Sequence, residues 1–524
     1  MDASTQSPPR RRSESRDPVT GDVFRNWETT DDAAVAAAVA RARAAQADWA
    51  ARAPADRAAV LDRFHDLLFA RRRAVAEAIT RELGKPLIDA MAADVTVSLE
   101  FARFYAREGP RFLRPRWRGV GNLAFWRKRA RVERRPYGVI GIIAPWNYPF
   151  WMPVSGAMPA LVTGNAVVLK PSEFTPGAAM LLQDLLREAG LPAGVFEVVP
   201  GDGVTGAALV RSGVDRIVFT GSSAVGRKVA VACAERFIPC ALELGGSDPA
   251  IVLADADLRF AADGIVWNRF FNGGQNCVSP KRIFVEQPVF DAFVAAAARA
   301  VGGLVVGDPK SAATEVGPLV RPHAVATIRA QLDDALAKGA RIVAQAPVPA
   351  GDGFFPPTLI TGVTDDMRVM QEETFGPLLP VVAVRDADEA VRRANATSYG
   401  LSASVWTGDA ARGVALARRL EAGSIQVNDA VNVVGMADIA TGGVKASGLG
   451  RHHGLEALED CVKSTPVVDD RFARWRQPWW FPYLPGHLDA MDAFTRLSHA
   501  PTLAGRLSGL VGTLRLVLTR KGRA

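Results

Sequence analysis

From Tyr137 onward, short apolar runs recur at intervals that leave room for one helix between each pair. Val139–Ile143, Ala166–Lys170, 195–199, Arg216–Thr220 and 241–244 are dominated by valine, isoleucine and leucine and carry few charges. Continuous apolar runs of this length are strands buried on both faces, and the segments between them are the helices that bury them. The clearest such helix opens with Thr175-Pro176, a cap residue followed by proline in the first turn. It carries Leu181, Leu182, Leu185 and Leu186 to a stop at Gly190. A parallel sheet covered on both sides follows, which places the chain in the α/β class. A second alternating region runs from Arg282 to about Asn428, with strands expected near 282–285, 381–384 and Ser424–Val427.

The flanking segments differ in character. Residues 31–107 read as helices, with Leu61, Phe64 and Leu68 on one face and a stop at Gly84 and Pro86. Then Arg111, Arg114, Arg116, Arg118, Arg127, Lys128, Arg129, Arg131, Arg134 and Arg135 crowd together with only Glu133 against them. Trp117 and Trp126 interleave, and Gly119-Val120-Gly121-Asn122 suggests a hairpin turn. The first residues are polar and hold no apolar segment of the kind a signal peptide needs, so a disordered tail is expected there. The uncharged stretch 136–169 is long enough to span a bilayer, but Pro145, Pro149, Pro153 and Pro159 break it. Cys233, Cys240, Cys277 and Cys461 show no close, regular spacing, which argues against a disulfide framework and against zinc, and for a reducing compartment. A net charge of +8 over 524 residues is modest, and no nucleic-acid partner is expected.

Five short stretches carry the chemistry. Phe271-Asn272-Gly273-Gly274-Gln275-Asn276-Cys277 is a glycine-rich loop ending in a thiol, which could serve as a nucleophile. Pro145-Trp146-Asn147-Tyr148-Pro149 follows the first strand, and its amide could donate to a developing oxyanion. Lys170-Pro171-Ser172-Glu173, at the next strand end, pairs a cation and a carboxylate suited to the hydroxyls of a ribose. Phe219-Thr220-Gly221-Ser222-Ser223-Ala224-Val225-Gly226 runs from strand to helix start, a site suited to a pyrophosphate although it is not the G-x-G-x-x-G fingerprint. Leu242-Glu243-Leu244-Gly245-Gly246 puts a carboxylate at an apolar strand end, where burial would raise its pKa into the range of a general base.

In this order, together with Gln371-Glu372-Glu373-Thr374-Phe375-Gly376-Pro377 and Gly442-Gly443-Val444-Lys445-Ala446-Ser447-Gly448, these stretches resemble the aldehyde dehydrogenase superfamily over roughly residues 19–467. The resemblance implies a Rossmann-like cofactor domain (19–110 and 136–243), an α/β catalytic domain (244–448) and a bridging β-flap that pairs subunits (111–135 and 449–467). A disordered tail (1–18) and an amphipathic extension (468–524) complete the chain. It further implies that Cys277 attacks an aldehyde, that Asn147 holds the oxyanion and that Glu243 activates the water that releases the acid. Trp146, Lys170, Ser172, Glu173, Gly221, Ser222, Gly226, Leu244, Glu373 and Phe375 would hold NAD, with NADP as the alternative. Tyr148, Trp151, Met152 and Phe271 would line the substrate tunnel. No metal is implied, and the assembly would be a homodimer or homotetramer.

Two departures bear on substrate. The lysine that often follows the general base is replaced by Ser247-Asp248, and the cationic pair common after the asparagine motif by Ser155-Gly156. A carboxylate-bearing substrate is therefore disfavoured, and a medium- to long-chain or aromatic aldehyde is expected. Succinate semialdehyde is the alternative. A CoA-acylating enzyme usually lacks the equivalent of Glu243, and a non-catalytic scaffold would not need the intact set. Past 468 the chain turns aromatic (Trp475, Trp479, Trp480, Phe481, Tyr483). It then becomes basic and amphipathic, with Leu503, Leu507, Leu510, Val511, Leu514 and Leu518 at helical spacing among Arg496, Arg506, Arg515, Arg520, Lys521 and Arg523. This suggests a helix lying on an anionic membrane surface, on the inner face of a membrane bounding the cytoplasm.

Overall fold

The apolar runs of the first alternating region close into one six-stranded sheet. Its spatial order is Gly448–Leu449, Cys240–Glu243, Arg216–Thr220, Val139–Ile143, Ala166–Lys170, Phe196–Val198. All neighbours are parallel except the first pair. This is a computed structural model, and it describes residues 12–121, 125–472, 477, 480–483 and 485–520. The chain starts the sheet at Val139–Ile143, builds outward through Phe196–Val198, then returns to add Arg216–Thr220 on the other side. That reversal makes a crevice at the carboxyl ends of the central strands, where ligands of such sheets bind.

A second sheet has seven strands in the order Arg341–Gln345, Thr358–Thr361, Leu378–Val384, Pro280–Glu286, Asp248–Val252, Ser402–Trp406, Ser424–Val427. Only the outermost strand, Arg341–Gln345, is antiparallel. Asp248–Val252 and Ser402–Trp406 were not expected as strands because Asp248-Pro249 and two serines interrupt their apolar pattern. The polar groups satisfy one another: Ser402 donates to Asp248 through its hydroxyl at 2.6 Å and its N–H at 3.1 Å.

Three expectations are corrected. Residues 12–17 are not a disordered tail, since Arg12–Arg16 pairs antiparallel with Val23–Glu28. Side-chain hydrogen bonds rather than apolar burial hold it: buried Ser15 donates to Glu82 and accepts from Trp27 Nε1 at 2.9 Å. Second, Thr175 does not cap its helix with its hydroxyl. The Glu82 carboxylate does so instead, accepting from the N–H groups of Gly177 and Ala178 at 2.9 and 3.1 Å. Third, residues 449–461 do not belong with the flap. Gly448–Leu449 extends the six-stranded sheet, and Ala457 and Leu458 of the helix Gly454–Glu459 are buried in the same core as Phe101 and Trp151. The helix Arg72–Leu83 does stop at Gly84, which adopts φ 81°.

The chain divides into two bodies, Met1–Leu113 with Arg135–Lys463, and Arg114–Arg134 with Ser464–Ala524. In the second, Arg116–Arg118 pairs antiparallel with Lys128–Pro136, beside Val462–Asp470. Asn122 of the expected turn lies outside the described residues. The crowded cations are partly neutralised: Arg129 meets Asp469 at 2.7 Å and Lys128 meets Asp470 at 2.9 Å. The end of the chain is a pair of helices, His487–His499 and Leu503–Arg520. The first was not expected. Its backbone approaches so closely that a Cβ at Gly509 would sit 2.2 Å from Leu497 N. Leu488, Leu503, Leu507, Val511 and Leu514 remain exposed, as do Trp480, Phe481 and Tyr483. Trp475, Trp479, Lys521, Arg523 and residues 1–11 lie outside the described residues, and nothing is described of the side chains of Arg515, Leu518 and Arg520. Among the described residues, no helix is long and apolar enough to cross a membrane.

Candidate active site

The Cys277 loop joins the helix Leu258–Phe270 to the strand Pro280–Glu286. It begins with three consecutive left-handed residues, Asn272, Gly273 and Gly274, at φ 54°, 64° and 72°. Gly274 has a second reason to be glycine: a Cβ there would lie 2.6 Å from the Gly376 backbone. Asn272 is held in its conformation by its N–H and its amide nitrogen, while its side-chain oxygen is buried without a partner. Its N–H donates to Asp89 at 2.9 Å, and its amide donates to the carbonyls of Asn147 and Gln275 at 3.1 and 3.2 Å. Asn147 itself donates to Gln275 O at 3.0 Å. The oxyanion candidate and the thiol loop are thus tied to each other directly.

Behind them sits a group the sequence did not reveal. Lys85, with a fully buried side chain, meets Asp94 at 2.6 Å and lies 3.9 Å from the centre of the Tyr148 ring. Asp94 also accepts from the N–H groups of Phe150 and Trp151 at 3.3 and 3.2 Å. Asp89 and Asp94 flank and occupy the π-helical turn Ala90–Thr96, so this one segment grips both the asparagine loop and the cysteine loop. Arg269, fully buried, ties the cysteine loop to the other side of the site: it donates to Ser279 Oγ, Leu378 O and Thr374 O at 2.7, 2.8 and 3.0 Å. Sequence reasoning singled out neither Lys85 nor Arg269; the signal available was a charge set among apolar neighbours.

Tyr148, Trp151, Met152, Phe271, Cys277 and Glu243 open on a single cavity of about 290 Å³. Its other walls include Ala92, Ala93 and Val97 from the π-helical segment, and no lysine or arginine lines it among the described residues. Burial pushes the Cys277 thiol up to about 12, with Lys281 opposing the shift. Lys281 donates to the Cys277 carbonyl at 2.6 Å and meets Glu373 at 3.4 Å. Burial raises Glu243 to about 8, with Arg451 acting against it. A thiol and a carboxyl held neutral at rest on one apolar cavity can exchange a proton with a reacting group and then re-form.

The remaining candidates on the six-stranded sheet follow the carboxyl ends of its strands, and Glu373 and Phe375 lie in the loop before Leu378–Val384 of the other sheet. Lys170 is buried and 3.5 Å from Glu173, which also accepts from Ser172 Oγ at 3.3 Å. Ser222 caps the helix Ser223–Ala234, accepting from Val225 N–H at 3.4 Å. Gly221 donates to the Glu243 carbonyl at 3.0 Å, and a Cβ at Gly226 would overlap Leu244 Cδ2 at 2.3 Å. Leu244 therefore links the cofactor side to the cavity, which it also lines. Glu373 accepts from Gly246 N–H at 3.1 Å, and the rings of Phe375 and Trp146 meet edge-on at 5.4 Å. An exposed helix amino terminus, a cation–carboxylate pair and an aromatic edge on one rim suit the phosphates, ribose and ring of a dinucleotide. Among the described residues no cluster of side chains could hold a metal.

The fold and this rim suit a dinucleotide-binding α/β enzyme, and a thiol opens on the apolar cavity beside them. The sequence matches the model of the aldehyde dehydrogenase family over residues 4–467. It is 40% identical over 441 residues, 83% of this chain and 84% of the other, to a Mycolicibacterium smegmatis protein named provisionally as an NADP-dependent succinate-semialdehyde dehydrogenase. It is 39% identical over 410 residues, 78% and 76% of the two chains, to the 4,4'-diapolycopene aldehyde oxidase of a Methylomonas species. The crystal structure of an indole-3-acetaldehyde dehydrogenase with NAD+ superposes with a TM-score of 0.83 at 35% identity, covering 88% of this chain and 93% of that one. The chain belongs to the aldehyde dehydrogenase family, and it is an aldehyde dehydrogenase that uses NAD or NADP.

Proposed function

We propose that the enzyme oxidises an apolar aldehyde, medium- to long-chain or aromatic, to the free carboxylic acid through Cys277. The supporting observation is the cavity itself, which gathers Cys277 and Glu243 behind an apolar lining without lysine or arginine among the described residues. Cys277 passes its proton to solvent water as its sulfur bonds to the aldehyde carbon, and Asn147 Nδ2 and the Cys277 N–H hold the resulting oxyanion. A bound NAD or NADP supplies the acceptor for the hydride. The remaining thioester keeps the acyl group on Cys277. Glu243 takes a proton from water as the water oxygen attacks, the carbon–sulfur bond breaks and the acid leaves. Lys170 with Glu173 would hold one ribose and Ser222 the phosphates, with Trp146, Ser172, Gly221, Gly226 and Leu244 beside them. Glu373 and Phe375 would hold the nicotinamide half. We assign 19–110 with 136–243 to the cofactor domain, 244–448 to the catalytic domain, and a homodimer or homotetramer to the assembly.

A carboxylate tail in this cavity would meet His452 and His453, which burial pushes down to about 4 and about 3 and so leaves neutral near pH 7. Without an ionic partner its desolvation is uncompensated. Octanal or benzaldehyde should therefore show kcat/KM at least about tenfold above succinate semialdehyde, and NAD should be preferred to NADP because the Glu173 carboxylate repels a 2′-phosphate. Added CoA should leave the product a free acid. Higher efficiency on succinate semialdehyde, as the name of the Mycolicibacterium smegmatis relative suggests, would replace this substrate reading, and release of an acyl-CoA would replace the hydrolytic one.

The terminal helices support a second element of the proposal, peripheral binding to an anionic membrane. Leu503 is 73% exposed and Val511 66% exposed, beside Arg506. An exposed apolar face beside basic groups suits an interface of lipid and water. The full chain should sediment with phosphatidylserine vesicles at low salt. The variant Leu507→Ser, Val511→Ser, Leu514→Ser should stay in the supernatant. Equal sedimentation of both, or of neither, would make the helices a packing element.

A further inference from the structure

Glu243 Oε1 and His452 Nε2 face each other at 3.8 Å, and neither atom has a hydrogen-bond partner. Their side chains are 14% and 8% exposed, and both line the cavity that holds Cys277. Two buried polar atoms left unpaired at this separation are costly, and a small side-chain rotation would join them. The histidine is well anchored for that. Its backbone exchanges two hydrogen bonds with Thr441, each of 2.8 Å. Its neighbour His453 is fixed by Thr441 Oγ1 at 3.0 Å and by an edge-on contact with Phe101 at 4.6 Å. Gly442 clears the space beside the carboxylate, since a Cβ there would lie 3.2 Å from Glu243 Oε1.

We propose that His452 is the positioning residue of Glu243. Its Nε2–H closes the gap to Oε1, holds the carboxylate in its charged form and turns the second oxygen toward the water that attacks the Cys277 thioester. This inference rests on the role proposed above for Glu243. The groups facing the pair are few. Burial, and then Arg216, held by Asp460 at 2.6 Å, keep His452 neutral, with one ring N–H to give. Arg451 acts on Glu243 in the same sense as the proposed hydrogen bond, by favouring its charged form, and His453 is itself neutral near pH 7. A neutral donor beside a buried carboxylate stabilises the ionised state and lowers the pH at which the base becomes available.

The test separates the two half-reactions in wild type, His452→Leu and His452→Gln, with octanal and NAD in stopped flow. The first burst of NADH should be unchanged within about twofold in all three, because acylation does not use the contact. In His452→Leu the steady rate near neutral pH should fall about tenfold, with its rising limb displaced to higher pH. His452→Gln, which keeps an N–H donor at similar reach, should restore the limb. Should the leucine variant fail to fold, His452→Asn is polar but too short to reach, and the same displacement is expected. An unmoved limb in a folded variant, or a glutamine variant as impaired as leucine, would overturn the proposal. Failure of the underlying reading is distinguishable, because Glu243→Gln would then keep the wild-type steady rate.

Discussion

Replacing Cys277 with alanine is expected to lower aldehyde oxidation by a factor on the order of 10⁴ or more, with NAD affinity within about twofold of wild type. The size follows from the absence of a substitute. Cys233 and Cys461 are buried and Cys240 is half-buried, and none of the three lines the cavity among the described residues. Asn147, in the role proposed for it, would still bind the carbonyl in this variant, but without a covalent bond no tetrahedral carbon forms from which hydride can leave. NADH absorbance measures the first quantity and cofactor fluorescence titration the second. Cofactor affinity should persist because the cofactor candidates, Lys170, Glu173 and Ser222, sit on different strand ends from the thiol loop. A variant that still turned over octanal would place the nucleophile elsewhere.

The second large effect belongs to Glu243. Glu243→Gln should leave the burst of NADH and slow the steady rate by about 10²–10⁴-fold, because only hydrolysis of the thioester needs the base. The pH dependence of wild type follows from the same carboxyl. Burial raises it to about 8, so the ionised form, which can accept the proton of water, is the minority below that pH and the majority above it. Hydrolysis should therefore rise with pH through the neutral range and level off by about 8, since the His452 hydrogen bond proposed above favours the ionised form. In Glu243→Gln that limb should vanish. Cys277, pushed up to about 12, is a neutral thiol throughout this range, so its proton must be removed during attack.

Much of this site could be read directly in the chain because its requirements are local. Asn272, Gly273 and Gly274 must be left-handed in succession, and few residue types permit that. The strands Val139–Ile143 and Ala166–Lys170 are fully buried, so every position along them is apolar or ends at the site. What escaped was set by partners far apart in sequence. Asp89 meets Asn272 across 183 positions, and Ser402 meets Asp248 across 154. Lys85, Asp94 and Arg269 look like ordinary surface charges until the fold surrounds them. Glu82 caps a helix 95 residues downstream, which hid both the strand Arg12–Arg16 and the true cap of Pro176–Glu188. His452 sat inside a segment expected to belong to the flap, and its place beside Glu243 depends on Gly448–Leu449 joining the cofactor sheet.

The central claim is that the substrate passes through a thioester on Cys277, and the stalled Glu243→Gln enzyme offers it for inspection. Mixed with octanal and NAD and quenched after the burst, the protein should gain the mass of one octanoyl group. Peptide mapping should place that group on Cys277, and hydroxylamine should remove it. A burst of NADH with no acyl mass, or with the acyl group on a residue other than Cys277, would contradict the account.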